Sequence, residues 1–359
     1  MSAPVQVGII GCGVISDTYI RNCSRFPELR IVGLADIDIS RAQAKALEYG
    51  IPFWGTAGEL LSQPQIEVIV NLTVPNAHLE VSLAALRAGK SVYSEKPITA
   101  TRDEGKRLVS EATDRGLRLA CAPDTFLGSG LRTCRKVIDD GEIGRVIGAT
   151  AFRLNHGMEH WHANPAFFYQ PGAGPLFDIG PYYLTALVSM LGPVASVAGT
   201  ATMATQVRKI TSGLAQGGFI EVGTPTHVSS LLSFRSGAVA STINSFDVWE
   251  SDLPRIEIYG TEGTLSVPDP NSYGGPVRIR TASDTTWRDV PLLPEFAGNL
   301  RGAGLLDLVL AIRDGRPHRA SAEMAFHVLD VMQSILESAE RNEFVAVASS
   351  CERPEALPA

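Results

Sequence analysis

Three consecutive residues, Glu95-Lys96-Pro97, set a carboxylate beside an ammonium at the end of a short buried-strand pattern, Ser91-Val92-Tyr93-Ser94. Earlier in the chain, Gly11-Cys12-Gly13-Val14-Ile15-Ser16 forms a glycine-rich turn directly after another apolar run. Such a turn between strand and helix holds the pyrophosphate of a dinucleotide, because glycine lets the backbone close on the phosphates and the helix offers its first amides. Glu95 and Lys96 then stand where a nicotinamide can lie. Together the two segments point to hydride transfer at a hydroxyl or carbonyl carbon. A Lys-Pro pair alone marks an ordinary turn, so the combination carries the reading.

Within the turn, Gly11 permits the tight reversal and Gly13 the close approach of backbone to phosphate. Val14 and Ile15, next in the turn, are expected to contact the cofactor. The third fingerprint position is Ser16, small enough for close packing. Asp36 ends the next strand, where an acid binds the ribose hydroxyls of NAD. Asp36 and Asp38 oppose the extra phosphate of NADP, while Arg41 counters them. NAD is therefore the expected cofactor, with NADP less favoured.

These residues need elements to position them. Apolar runs at 5–10, 29–35, 66–72, 91–94 and 118–122 read as strands, and segments 16–24, 41–49, 77–88 and 101–115 as helices. Alternation of this kind predicts a doubly wound parallel sheet of the Rossmann type over residues 1–123. The pattern then changes. Helices are expected at 130–141, 178–191, 305–313 and 322–341, a long strand at 146–155, and strand-like text from 194 to 290. This second, α+β domain, 124–345, is expected to hold an open, largely antiparallel sheet for substrate binding and oligomerisation. Residues 346–359, with Pro354 and Pro358, read as a loose tail.

The bulk numbers narrow the function classes. A length of 359 residues suits two domains. The net charge of −7 argues against a nucleic-acid or anionic-membrane surface. No apolar run is long enough to span a bilayer, and the N-terminus carries no export signal, so a cytoplasmic location is expected. The five cysteines are scattered and imply neither a disulfide framework nor a zinc site.

On these residues the chain resembles the Gfo/Idh/MocA oxidoreductases, over roughly residues 5 to 340. Thr73-Val74-Pro75-Asn76-Ala77-His78 is similar to the family's loop after the third predicted strand, which implies cofactor contacts from Thr73, Pro75, Asn76 and His78. Glu95-Lys96-Pro97 matches its signature, which implies a catalytic Lys96, a cofactor contact from Glu95 and a cis bond before Pro97. Gly141-Glu142-Ile143-Gly144 matches the turn opening the second domain. The segment from Gly172 to Tyr182 matches the substrate motif, with Ala173 for the middle glycine and Tyr182 where most members carry histidine. The resemblance implies sugar or inositol dehydrogenation and a homo-oligomer.

Asp178 and Tyr182 are four apart, hence on one face of a predicted helix. Alcohol oxidation needs a base. A free tyrosine, with a pKa of about 10, is a poor one near neutrality, but the Lys96 cation favours its phenolate. Lys96 can instead bind the reacting oxygen directly, with Asp178 orienting the hydroxyl or the lysine. Both assignments remain open from sequence. His160, Trp161 and His162 suggest a sugar-binding segment, with no expected metal. Asp124, just past a predicted strand, stands as a substrate-contact candidate or a helix cap. The expectation is an NAD-dependent oxidoreductase of a small sugar or cyclitol. Two further readings stand beside it: a non-catalytic dinucleotide sensor, and a dehydrogenase of trans-diols or dicarbonyls. The exposed face of an open sheet calls for a partner, so a homodimer or homotetramer is expected.

Overall fold

The computed structural model describes residues 3–294 and 300–357. They divide into two compact units, the first holding the residues up to Leu127 with a later stretch ending at Leu329, the second holding the rest.

The first unit alternates strand and helix: β1 (Val5–Ile10), α1 (Val14–Cys23), β2 (Leu29–Ala35), α2 (Ile39–Tyr49), β3 (Phe53–Gly55), α3 (Ala57–Leu61), β4 (Val68–Asn71), α4 (His78–Arg87), β5 (Ser91–Ser94), α5 (Arg102–Asp114) and β6 (Leu119–Cys121). The six strands pair in parallel in the order β3-β2-β1-β4-β5-β6. The order reverses between β1 and β4. Crossovers therefore leave in opposite directions there and open a crevice at the carboxyl edge. Every residue of β4 and β5 is buried, as a sheet covered on both faces requires. The strand β3 was not expected from sequence. Its three residues follow Pro52 and are too short to show a period.

The second unit opens with α6 (Ser129–Asp139), β7 (Val146–Leu154), α7 (Pro175–Asp178) and α8 (Gly180–Leu191). It continues with β8 (Val194–Thr202), β9 (Val207–Lys209), β10 (Phe219–Glu221), β11 (His227–Phe234), β12 (Val239–Ser245), β13 (Ile256–Gly260), β14 (Gly263–Val267), β15 (Arg278–Thr281), β16 (Arg288–Asp289) and, near the end of the chain, β17 (Val345–Ala346). Nine of these form one sheet, β16-β15-β14-β13-β7-β12-β11-β8-β17. Its pairs are antiparallel except β7 with β12. Along β11, Val228, Ser230, Leu232 and Phe234 are buried while the alternate residues face outward, the two-residue period of a sheet packed on one face. On the other face Leu231 and Val239 are exposed. The pair β9 and β10 forms a separate two-stranded sheet. Both helices α6 and α8 turn apolar residues inward, and all of α8 is buried.

The two closing helices, α9 (Ala303–Asp314) and α10 (Ala322–Arg341), correct the expected division of the chain. Leu305, Leu308 and Val309 of α9 share one apolar cluster with Val7, Ile9 and Tyr19. The helix therefore completes the cover of the parallel sheet and belongs to the first unit, whose boundary with the second falls inside α10. A returning helix has no local signal of which sheet it covers.

The tail also differs from expectation. Val347 donates its amide to Ala195 O at 2.9 Å, and Ser349 to Asp330 Oδ2 at 2.8 Å. Arg353 Nε reaches Ser189 O at 3.2 Å, and Arg135 Nη1 reaches Pro354 O at 3.0 Å. The chain is thus tied to the second unit as far as Pro354. Pro358 lies outside the described residues.

Candidate active site

The glycine turn after β1 is built by two different constraints. Gly11 has φ +102°, and a Cβ there would fall 2.6 Å from the carbonyl carbon of Leu72. The fold itself requires glycine at that position. Gly13 has φ −71°, which any residue adopts, and a Cβ there would meet no protein atom within 4 Å. The fold does not require that glycine, and the space beside its backbone is open. Gly13 caps α1 without a side-chain acceptor, so the helix presents bare amides and a positive dipole to the same space. A cleft of about 640 Å³, lined by Gly11, Gly13, Asp36, Arg41 and Thr73, opens there. Its donor set, with backbone amides at one end and a carboxylate at the other, fits a dinucleotide.

The carboxylate of Asp36 is fixed before any ligand arrives. Its Oδ2 accepts the Cys12 amide at 2.7 Å, and its Oδ1 accepts the Asp38 amide at 2.9 Å. Arg41 approaches Asp36 at 3.6 Å and Asp38 at 3.7 Å. Asp17, in the first turn of α1, would weaken the positive field if it faced the phosphates unpaired. It is paired with Lys45, and Tyr49 donates to it at 3.2 Å. The Lys45 hydrogen bond holds its carboxyl below the usual range. Sequence reasoning missed this pair. Its signal was only an acid one residue past the fingerprint and a lysine on the following helix.

The lysine loop follows β5 on the same carboxyl edge, two strands from β1, or about 10 Å by strand spacing. The peptide bond before Pro97 is cis. Glu95 accepts from Tyr19 Oη of α1 at 2.8 Å and from the Lys96 amide at 3.0 Å. His78 lies fully buried beneath the loop. Its Nδ1 is 2.6 Å from Pro97 O and its Nε2 is 3.0 Å from Thr73 O. Asn76 of the same segment is exposed and Thr73 and Pro75 are half-buried. Val14 is exposed and Ile15 is half-buried at the start of α1. Asp124 is 1% exposed and accepts the amides of Gly302 and Gly304, both at 2.9 Å. It thereby holds the first turn of α9, a helix distant in sequence, rather than capping the segment that follows it.

In the second unit, Asp178 and Tyr182 do not share one helix. Asp178 ends α7 and Tyr182 lies in the first turn of α8, with a break at Ile179. Pro181 has no amide to carry the hydrogen-bond ladder across, and the residue before it resists helical geometry. Asp178 is half-buried and Tyr182 is 6% exposed. Neighbouring Tyr183 is buried, and burial, with the Asp269 charge next, pushes its phenol up.

His160 and Trp161 are exposed, Trp161 at 60%, whereas His162 is half-buried and accepts the Asn164 amide on Nδ1 at 3.1 Å. A buried ion cluster orders this segment. Arg208 of β9 meets Glu159 at 2.6 Å and also pairs with Asp247. Tyr169 donates to Glu159, and its oxygen accepts the Met158 amide at 3.1 Å. Burial raises the Glu159 carboxyl, but the bonds from Tyr169 and Arg208 outweigh it and leave the group lowered. Among the described residues no three His, Cys, Asp or Glu side chains gather as a metal-holding group.

Comparison with known proteins matches both halves of this architecture. Residues 5–122 match the oxidoreductase family with an NAD-binding Rossmann fold, and residues 131–266 match the Gfo/Idh/MocA C-terminal domain. The chain belongs to the Gfo/Idh/MocA oxidoreductases and carries their NAD-binding domain. It is 32% identical over 146 residues to an inositol 2-dehydrogenase of Ralstonia nicotianae, spanning 39% of this chain and 43% of that enzyme, less than half its length. It is 28% identical over 268 residues to a trans-1,2-dihydrobenzene-1,2-diol dehydrogenase of Bos taurus, spanning 73% of this chain and 74% of that one. Among solved structures, levoglucosan dehydrogenase with NADH and L-sorbose has the same fold, with TM-score 0.82 at 21% identity over 96% of this chain and 99% of that one.

The two glycines separate fold from ligand. Gly13→Ala is expected to leave the melting temperature unchanged and to weaken NAD binding at least about tenfold, because the added methyl occupies phosphate space. Gly11→Ala is expected to lower the melting temperature. Calorimetric titration and thermal unfolding read both, and unchanged NAD affinity in Gly13→Ala contradicts the assignment.

Proposed function

We propose that this protein is an NAD-dependent dehydrogenase of a secondary or hemiacetal hydroxyl on a sugar or cyclitol, working in either direction. The observation that carries the reading is the ligand-shaped space at Gly13 on the same sheet edge as Glu95-Lys96-Pro97. Bound NAD supplies the hydride acceptor. The chain's residues do the rest. Gly11, Gly13 and the first amides of α1 hold the pyrophosphate, and Asp36 receives the ribose. Lys96 binds the reacting oxygen and stabilises the negative charge that develops there. Tyr182 takes or relays the hydroxyl proton, and Asp178 orients the hydroxyl. Trp161 offers an exposed face for a sugar ring, with His160 and His162 beside it.

The NAD preference rests on Asp36, whose oxygens already hold two amides and cannot turn aside for a 2′-phosphate. A second reading keeps the chemistry and takes a trans-diol as substrate. The match to the bovine diol dehydrogenase, over 73% of this chain, supports it. The exposed Leu231 and Val239 on the outer sheet face support assembly as a homodimer or homotetramer; light scattering of a micromolar solution showing only monomer contradicts that part.

Spectroscopic screening of sugars, cyclitols and trans-diols with NAD and NADP tests the reading. Turnover of a polyol with a higher kcat/KM for NAD supports it. Tight NAD binding with no turnover of any class leaves a dinucleotide sensor instead. With the active substrate, Tyr182→Phe is expected to remove most of kcat while thermal stability holds, because the ring remains. If kcat stays near wild type and only KM rises, the tyrosine merely binds substrate, and Lys96 with Asp178 moves the proton.

A further inference from the structure

His78 is a wholly buried imidazole packed against the lysine loop. It opens α4, and its ring lies between two backbone carbonyls that belong to different loops. Thr73 O ends the segment after β4, which lines the dinucleotide cleft, and Pro97 O follows the lysine after β5. One side chain thus bridges the two segments directly. The ring shows no surface to solvent, whereas the resemblance implied a cofactor contact from His78.

The lysine itself is flanked by two anchors. On one side Glu95 is held by Tyr19 Oη at 2.8 Å and by its own amide to Asn71 O at 2.9 Å. On the other side Pro97 O meets the His78 ring at 2.6 Å, and Ile98 and Thr99 are buried. The Lys96 backbone is therefore fixed before and after the residue, and the later fixing runs through His78.

We propose that His78 is a positioning residue: it clamps the Lys96-Pro97 loop to the cofactor loop at Thr73, and so sets where the lysine ammonium meets the reacting oxygen. The proposal rests on the catalytic reading of Lys96 given above. The chemistry of the clamp is specific. A neutral imidazole has one N–H and one lone pair, so it donates to only one of two facing carbonyls; the imidazolium donates to both. Burial, aided by the Lys96 charge, outweighs the Pro97 and Thr73 carbonyls and the Glu95 charge and leaves the ring's pKa lowered, so the neutral ring donates to one carbonyl and sets its other nitrogen against the second. A glutamine carries two N–H bonds on one uncharged nitrogen and can bridge the pair without that conflict. Leucine can donate to neither.

The test uses the full chain with His78→Leu, His78→Gln and Lys96→Ala. Hydrogen exchange at the Lys96 and Ile98 amides needs no substrate. It is expected to accelerate at least about tenfold in His78→Leu and to stay near wild type in His78→Gln. With the substrate returned by the screen, His78→Leu is expected to lose roughly 10- to 100-fold in kcat, as misplacement of a reacting group by about 1 Å does. The KM for NAD should change less than about twofold, and His78→Gln should restore most of kcat. If the leucine variant does not fold, His78→Asn replaces it: its shorter amide reaches one carbonyl, and an intermediate loss is expected. Wild-type exchange and kcat in His78→Leu, or equal losses in the leucine and glutamine variants, overturn the clamp. Normal turnover by Lys96→Ala overturns the catalytic reading instead, and the exchange data then still decide the clamp.

Discussion

Asn71 ends β4, and the cleft edge of the first unit depends on its buried side chain. Its Nδ2 donates to His78 O at 3.1 Å and to Ser82 Oγ at 3.0 Å. Its Oδ1 accepts the Thr73 amide at 3.2 Å and the Thr73 hydroxyl at 2.7 Å. Its backbone oxygen accepts the Glu95 amide at 2.9 Å. A parallel sheet leaves such groups without ladder partners at its carboxyl edge, and each one buried without a partner costs about 1–3 kcal/mol. One amide side chain satisfies the start of α4, the cofactor loop and itself at once. The positions of Thr73, His78 and, through the sheet bond, Glu95 follow from it.

The second unit uses charge for a similar purpose. Arg208 and Glu159 are nearly buried, and Asp247 lies beside them, accepting also from Thr226 at 2.6 Å. Met158, Tyr169, Ile220 and Phe246 surround the cluster with a small apolar core. A buried ion group of this kind adds little net stability, but removal of one partner costs about 3–5 kcal/mol because a charge is left stranded. It therefore specifies a single arrangement for the segment after β7. Gly157 fits that arrangement because a Cβ would meet Glu159 Oε2 at 2.3 Å. The exposed His160 and Trp161 follow directly on Glu159 of that cluster.

Five of the six strands of the parallel sheet were legible as short, mainly apolar runs, and the turn after the first carries glycines at set spacing. Gly11, Gly13 and Asp36 could be singled out because glycine spacing and a strand-end acid mark one turn, and the structure brings them with Thr73 to one cleft. What sequence did not reveal depends on distant partners. The α9 helix and the tail carry ordinary apolar and polar text, and only packing decides which unit receives them. Asp124 reads equally as a ligand or a cap until Gly302 and Gly304 come into place. The break at Ile179 was signalled by Gly180-Pro181, yet the apolar period on both sides outweighed it. The role of His78 could not be seen, because the two carbonyls it faces lie 5 and 19 residues away and are brought together by β4 and β5.

The central claim is that Lys96 acts on the reacting oxygen while the glycine turn and Asp36 hold the cofactor. The most direct measurement pairs single-turnover hydride transfer with calorimetric NAD binding in Lys96→Ala. The expected result is a hydride-transfer rate reduced at least about a thousandfold with NAD affinity within about threefold of wild type, since the pyrophosphate rests on Gly11 and Gly13. A Lys96→Ala protein that transfers hydride at the wild-type rate contradicts the account.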